Sequence, residues 1–312
     1  MPIQLATRRA GLAALAALAL APLTACGTTG APTDSGATGS AASASATPST
    51  DQASLDRAFQ KLEDEYDARL GVYAVDTGSG DAASYRADER FAFASTHKVF
   101  SVGALLRQKS LDELDEVVTY TEDDLLDYAP ITTKHVDTGM TLREVSDAAI
   151  RYSDNTAANL LFRELGGPSG LDAALEEVGD DTIHMDRTEP DLGDWAPGDD
   201  RDTSTPQAMA TTLRSFTLGD TLPEEKRAFL VDLMKRNTTG DDLIRAGVPD
   251  GWEVGDKTGT ANYGTRNDIA VLWPPEGDPI VLAVMSSRDE KDAERSDALI
   301  AKAAEVSVDA LT

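Results

Sequence analysis

The spacing of apolar positions changes several times along this chain, and each change marks an element. Leu55, Phe59, Leu62 and Tyr66 recur at helical spacing, with Ser54 placed to cap them. Residues 69–76 alternate as a strand and run into the turn signal Thr77-Gly78-Ser79-Gly80; a short strand at 84–86 completes a hairpin. Residues 95–108 are apolar on most faces (Val99, Phe100, Val102, Ala104, Leu105, Leu106), which predicts a helix sunk in a core. Thr141 and Glu144 make a capping box opening a helix over 142–152. Ser153-Asp154-Asn155 breaks it, a helix over 156–165 follows, and Gly166-Gly167-Pro168 stops that one. A short helix is predicted over 171–178. Residues 187–202, rich in Pro, Gly and Asp and without periodicity, read as a long ordered surface loop. Helices over 206–218 and 224–236 come next, then strands over 252–260, 267–273 and 280–286, and a closing helix over 291–310.

This order predicts an α+β fold: a five-stranded antiparallel sheet covered by helices, with an all-helical region inserted into it. The sheet part is expected over 53–88 and 241–312, the helical part over 89–240. The cleft between them is the natural place for a site. No internal repeat is present.

The first 26 residues change the picture of where the protein works. Arg8-Arg9 precedes an apolar run over 12–20, too short to span a bilayer, and then Leu23-Thr24-Ala25-Cys26. The ending resembles a bacterial lipobox, which implies a signal peptide over 1–25 and a lipidated Cys26 as the new N-terminus. Thr7-Arg8-Arg9 also resembles a twin-arginine signal, so the export route stays open between that and the general secretory one. The plainer alternative is a secretory signal with an incidental cysteine. Residues 27–52, almost wholly Gly, Ala, Ser, Thr and Pro, read as a flexible tether. The expectation is an exported protein, held as a lipoprotein on the outer face of the cell membrane or secreted.

Cys26 is the only cysteine, so an intrachain disulfide is excluded and packing must carry stability. The folded part, about 260 residues, suffices for one large domain or two intimately packed ones. A net charge of −27 argues against nucleic acid as a partner and against direct adhesion to anionic membrane, leaving the lipid as the only membrane contact. The same acidity favours solubility and a monomer.

The chemistry starts at Ser95-Thr96-His97-Lys98. A serine and a lysine three apart on a helix lie one turn from each other, an amine beside a hydroxyl that needs its proton removed to act as a nucleophile. Taken singly, Ser-x-x-Lys is an ordinary helix turn, Ser-Asp-Asn a capping turn and Lys-Thr-Gly a strand end. Here Ser153-Asp154-Asn155, Glu189-Pro190 and Lys257-Thr258-Gly259 follow in order, and jointly they are specific. With these motifs the chain from Ser54 onward resembles the class A serine β-lactamases, of actinobacterial type.

The resemblance implies hydrolysis of the β-lactam amide through an acyl-enzyme on Ser95, with no cofactor and no metal. It implies an oxyanion hole from the backbone N–H groups of Ser95 and Thr260, and proton delivery to the leaving nitrogen by Ser153. Lys98 and Glu189 are the candidate bases for acylation, a choice left open; Glu189 is the base for the deacylating water. Lys257, Thr258, Thr260 and Arg266 are expected to bind the substrate carboxylate, Asn155 its acylamide side chain, and Tyr128 to stand at the cleft mouth. Arg187 and Asp202 are expected to pair and clamp the loop. Gly193 stands where the family usually has an asparagine that helps hold the deacylating water, and His97 where an aromatic such as phenylalanine is common. Ala94 removes the cysteine that some carbapenem-hydrolysing members carry there. His97, His135 and His184 are read as satisfied structural histidines, since none has zinc-ligand spacing. A penicillin-binding DD-peptidase or transpeptidase shares two of the motifs, and a non-catalytic lipoprotein with the same fold is a third reading. Glu189 argues against the former, the intact constellation against the latter.

Overall fold

A computed structural model of the chain describes residues 52–312; the leader, Cys26 and the tether as far as 51 lie outside the described residues. A helix, α1 (Gln52–Tyr66), leads into β1 (Arg69–Asp76) and β2 (Ala82–Tyr85). Ser54 lies inside α1 rather than ahead of it, so it does not cap the helix. After the short strand β3 (Phe91–Ala92) come α2 (Lys98–Gln108), β4 (Val117–Val118), β5 (Met140–Thr141), α3 (Leu142–Arg151), α4 (Asn155–Leu165) and α5 (Pro168–Glu176). Beyond the 187–202 loop follow β6 (Thr203–Ser204), α6 (Pro206–Thr217), α7 (Glu224–Lys235), β7 (Glu253–Thr260), β8 (Arg266–Trp273), β9 (Ile280–Ser287) and α8 (Asp297–Leu311).

The main sheet has five strands in the order β2-β1-β9-β8-β7, and every pairing is antiparallel. Both of its faces are covered, which explains the near-continuous apolar run of β9. Along β9, Val281, Ala283 and Met285 join the larger core under the inserted helices; Ile280, Leu282 and Val284 join a second core against α1 and α8. Ile269 and Val271 of β8 divide from Ala270 and Leu272 in the same way, as the two-residue period of a strand requires. The sheet thus holds the two ends of the chain together, and the six helices between them pack on its other face.

Several predicted bounds shift. The segment expected as one helix from 95 opens as a 3₁₀ turn, Ala94–His97, before α2 begins at Lys98. The final helix begins at Asp297, not 291, because Ser296 caps it by accepting from the Leu299 N–H at 3.2 Å. The predicted capping box is present at α3. The pairs β3–β6 and β4–β5 have two residues per strand, too few for alternation to reveal. β3–β6 matters to function: it fastens the chain just before Ser95 to the end of the 187–202 loop.

Candidate active site

Ser95 is brought to the sheet by the residues before it. Asn267 of β8 donates through Nδ2 to the carbonyls of Ala92 (2.7 Å) and Phe93 (3.2 Å). Ala94 then takes a left-handed φ of 50° and is buried. A non-glycine residue held in that region is strained, and such strain gathers at functional sites. β7 is the free edge of the sheet, and Gly259 lets it press on this turn: a Cβ there would stand 2.8 Å from the Phe93 carbonyl oxygen. The Ala261 N–H bonds the Thr265 carbonyl. In an antiparallel ladder the next residue points the other way, so the Thr260 N–H faces out from β8, toward Ser95.

Behind Ser95 lie buried charges. Lys98 is fully buried; its Nζ donates to the Ser153 carbonyl (2.9 Å) and to Asn155 Oδ1 (2.6 Å) and forms an ion pair with Glu189 Oε1 at 3.0 Å. Burial lowers its pKa, opposed by the Glu189 carboxylate. The Ser95 hydroxyl donates to Glu189 Oε1 at 3.3 Å. Burial is the largest influence on Glu189 and alone would raise its pKa, but the Lys98 ammonium and the His97 imidazole together outweigh it and hold the carboxyl below its ordinary range.

Ser153 sits between α3 and α4 with a left-handed φ of 56°. Lys257, also fully buried, donates to Ser153 Oγ at 3.0 Å. That leaves the Ser153 hydrogen free to point into the cleft. Burial first, and the like charge of Lys98 second, push the Lys257 ammonium down to about 7, against Asp256, Asp268 and Glu189. Asp154 caps α4 and also accepts from the N–H groups of Ile131 and Thr132 (3.0 and 2.9 Å), while the Asn155 N–H bonds the Tyr128 carbonyl. These bonds fix the segment that carries Tyr128, whose ring is half exposed at the mouth.

The cleft in front of these groups has a volume of about 430 Å³ and is lined by Ser95, Tyr128, Ser153, Asn155, Thr239, Thr258, Gly259, Thr260, Arg266 and Arg295. All ten residues proposed from the sequence for catalysis or binding thus line it or stand directly behind it. Arg266 is held by Asp297 (Nε to Oδ1, 2.6 Å) and by Thr260 Oγ1 (2.8 Å). The Thr258 hydroxyl is shared with that of Thr239 at 2.7 Å. Arg187 pairs with the fully buried Asp202, closing the loop as expected.

Sequence reasoning missed Asn159, Thr239, Asn267 and Asp297. Each acts on a partner far away in the chain, so no local pattern marks it; the one hint is an amide inside the apolar helix α4. The reading of His97 as satisfied also needs correction. Its Nδ1 lies 3.2 Å from Ser101 Oγ, but its buried Nε2 has no hydrogen-bond partner among the described residues and lies 3.8 Å from Glu189 Oε1.

Comparison with known proteins agrees with this geometry. Residues 54–311 match the sequence model of the beta-lactamase enzyme family. A beta-lactamase of Bacillus licheniformis is 60% identical over 253 residues, covering 81% of this chain and 82% of that protein. One of Amycolatopsis lactamdurans is 59% identical over 258 residues, covering 83% and 85%. The crystal structure of a class A beta-lactamase from Clostridium kluyveri superposes with a TM-score of 0.82 at 49% identity, covering 83% of this chain and 99% of that one. The match extends over nearly the whole described chain, which belongs to the beta-lactamase enzyme family, class A.

Proposed function

We propose that the chain hydrolyses the amide bond of penicillins and related β-lactams through an acyl-enzyme on Ser95 and so confers resistance to them. The observation that carries the reading is the placement of Glu189 Oε1, which receives the Ser95 hydroxyl at 3.3 Å and the Lys98 ammonium at 3.0 Å.

In acylation the Ser95 Oγ bonds the lactam carbonyl carbon as its proton passes to Glu189. In this reading Lys98 is the ammonium paired with Glu189 Oε1 and serves to hold charge there. The N–H groups of Ser95 and Thr260 stabilise the oxyanion. As the ring C–N bond breaks, Ser153 gives its proton to the nitrogen, Lys257 stabilises the charge left on Ser153 Oγ, and the proton taken up by Glu189 passes by way of the Lys98 ammonium to that oxygen, so that Glu189 is a carboxylate again before deacylation. Lys257, Thr258, Thr260 and Arg266 hold the substrate carboxylate, Asn155 the acylamide group, and Tyr128 borders the mouth. In deacylation Glu189 takes a proton from water as it attacks the ester, and the Ser95 hydroxyl is restored. No cofactor enters these steps. A transpeptidase resolves its acyl-enzyme with an amine and has no need to activate water, and the loop glutamate favours the hydrolase. We propose further that the protein is a monomer, exported and either anchored by lipid on Cys26 or secreted.

Glu189→Ala tests the reading. It should trap a penicillin on Ser95, seen by intact-protein mass spectrometry as one ring-opened substrate added, with turnover down by about 10²- to 10⁴-fold. Ser95→Ala should show no adduct. Near wild-type turnover by Glu189→Ala would refute the assignment.

A further inference from the structure

His97 is enclosed by aromatic rings and by the catalytic charges. Its imidazole stacks on Phe162 of α4 (centroids 5.2 Å apart, planes at 16°) and meets Phe93 edge-on at 5.8 Å. The charged groups facing it are Glu189 from the loop, Lys98 from α2 and Lys257 from β7; α4 contributes the uncharged ring of Phe162. Burial lowers the imidazole pKa, so the ring is neutral at neutral pH and carries one N–H.

Which nitrogen carries that hydrogen follows from the two neighbours. With the hydrogen on Nδ1, a lone pair on Nε2 would face the Glu189 carboxylate. With the hydrogen on Nε2, a donor faces the carboxylate, and the Ser101 hydroxyl, 3.2 Å from Nδ1, turns its one hydrogen from the His97 carbonyl (3.3 Å) to the other nitrogen. The Ser101 end accommodates either arrangement, and the carboxylate end selects the second. At 3.8 Å the Nε2–H is beyond hydrogen-bond range in the resting enzyme, where Glu189 Oε1 already receives Ser95 and Lys98. Acylation removes one of these donors, because an ester oxygen has no hydrogen. His97 then holds the buried, unpartnered N–H that faces the same carboxylate oxygen.

We propose that His97 is a positioning residue for Glu189: its Nε2–H replaces the Ser95 hydroxyl on Glu189 Oε1 once Ser95 is acylated, and keeps the carboxylate ionised and aimed for deacylation. The inference rests on Glu189 being the deacylation base and extends that role. It assigns a task to a residue of the Ser-x-x-Lys turn that the mechanism leaves unused.

His97→Phe keeps a ring between Phe93 and Phe162 and removes both nitrogens. Acylation and deacylation constants are measured separately by pre-steady-state kinetics with benzylpenicillin across pH. The deacylation constant should fall about tenfold, more than the acylation constant, with its acidic limb moved up by about one pH unit as the ionised carboxylate loses a donor. Both constants falling together with the acidic limb unmoved, or both unchanged, would overturn the proposal. If at the same time Glu189→Ala still traps the adduct, the deacylation base stands and only the role of His97 fails.

A second measurement needs no variant. Phenylboronic acid bonds Ser95 Oγ through boron as the hydroxyl proton is released to solvent, so the oxygen can no longer donate. Nitrogen-15 NMR of the wild-type protein should then show His97 protonated at Nε2, with that proton shifted downfield relative to the free enzyme. A ring protonated at Nδ1 in the adduct, or an Nε2 proton that does not move, would refute the handover.

Discussion

Asn159 grips both main-chain polar groups of Glu189. Its Oδ1 accepts from the Glu189 N–H at 3.0 Å, and its Nδ2 donates to the Glu189 carbonyl at 2.8 Å. A rigid helix thereby sets the height of a loop residue whose side chain must reach Ser95. Asn159→Leu fills a similar volume without either bond, leaving a largely buried N–H and carbonyl unpaired. Turnover under deacylation-limited conditions should fall by about 10- to 100-fold. The Arg187–Asp202 pair still closes the loop ends, so far-ultraviolet circular dichroism should be unchanged. Wild-type deacylation in this variant would mean that the clamp alone positions Glu189.

How much of this was legible in the sequence depended on how local each cause is. β1 is found where it is predicted, over 69–76; both of its faces are covered, and the two-residue period survives in Leu70, Val72 and Ala74, which share the core against α1 and α8. Ser95, Lys98, Ser153, Glu189 and Lys257 were legible because the chemistry needs those residue types at short, fixed offsets. The ends of elements were less so. Residues 291–296 have helical composition, but the Lys291 carbonyl accepts from the Tyr263 N–H at 2.9 Å, a tertiary contact that holds the segment out of helix until Ser296 caps it. Asp297 and Asn267 look like any surface and strand residue, since the arginine and the carbonyls they hold are contributed by distant segments. His97 offered no signal, because its significance lies in what its Nε2 faces.

Lys257 makes substrate binding sensitive to pH near neutrality. Its ammonium, at about 7, is charged below that pH and neutral above it. Its attraction for the substrate carboxylate is therefore lost as pH rises, so kcat/KM should fall along an alkaline limb near pH 7. In the complex the carboxylate favours the charged form, so the limb of kcat should lie at higher pH than that of kcat/KM. Comparing benzylpenicillin with its methyl ester separates two uses of the charge. A limb that shrinks for the ester reports carboxylate binding; an identical limb would show that the charge acts on Ser153 alone.

The proposed lipidation of Cys26 would fix where the enzyme stays. Leu23-Thr24-Ala25-Cys26 motivates lipidation, and a chain with a net charge of −27 has little attraction of its own for an anionic bilayer. Metabolic labelling with a radioactive fatty acid should mark the wild type and spare Cys26→Ala, and the variant should collect in the medium. Equal labelling of the two proteins would exclude the anchor.

Gly193 offers no side chain to the water that the proposed mechanism activates. It lies in the 3₁₀ turn Asp191–Gly193, directly after the loop glutamate, and its carbonyl accepts from the Asn262 N–H at 3.3 Å. A Cβ built there meets nothing within 4 Å, and its φ lies outside the left-handed region, so a side chain enters without strain. The asparagine usual at this place in the family would bring an amide toward the water that Glu189 activates. One added positioning hydrogen bond is worth about 1–3 kcal/mol. Gly193→Asn should therefore speed deacylation by about 5- to 100-fold for substrates limited by that step. Gly193→Ala is the control. Both variants remove glycine's freedom in the unfolded chain and should gain about 0.4–1 kcal/mol of stability, but only the amide can order water. Equal acceleration by Ala and Asn would assign the effect to a stiffer loop. Deacylation unchanged or slower in Gly193→Asn would mean that another group already fixes the water and that the missing amide costs this enzyme nothing.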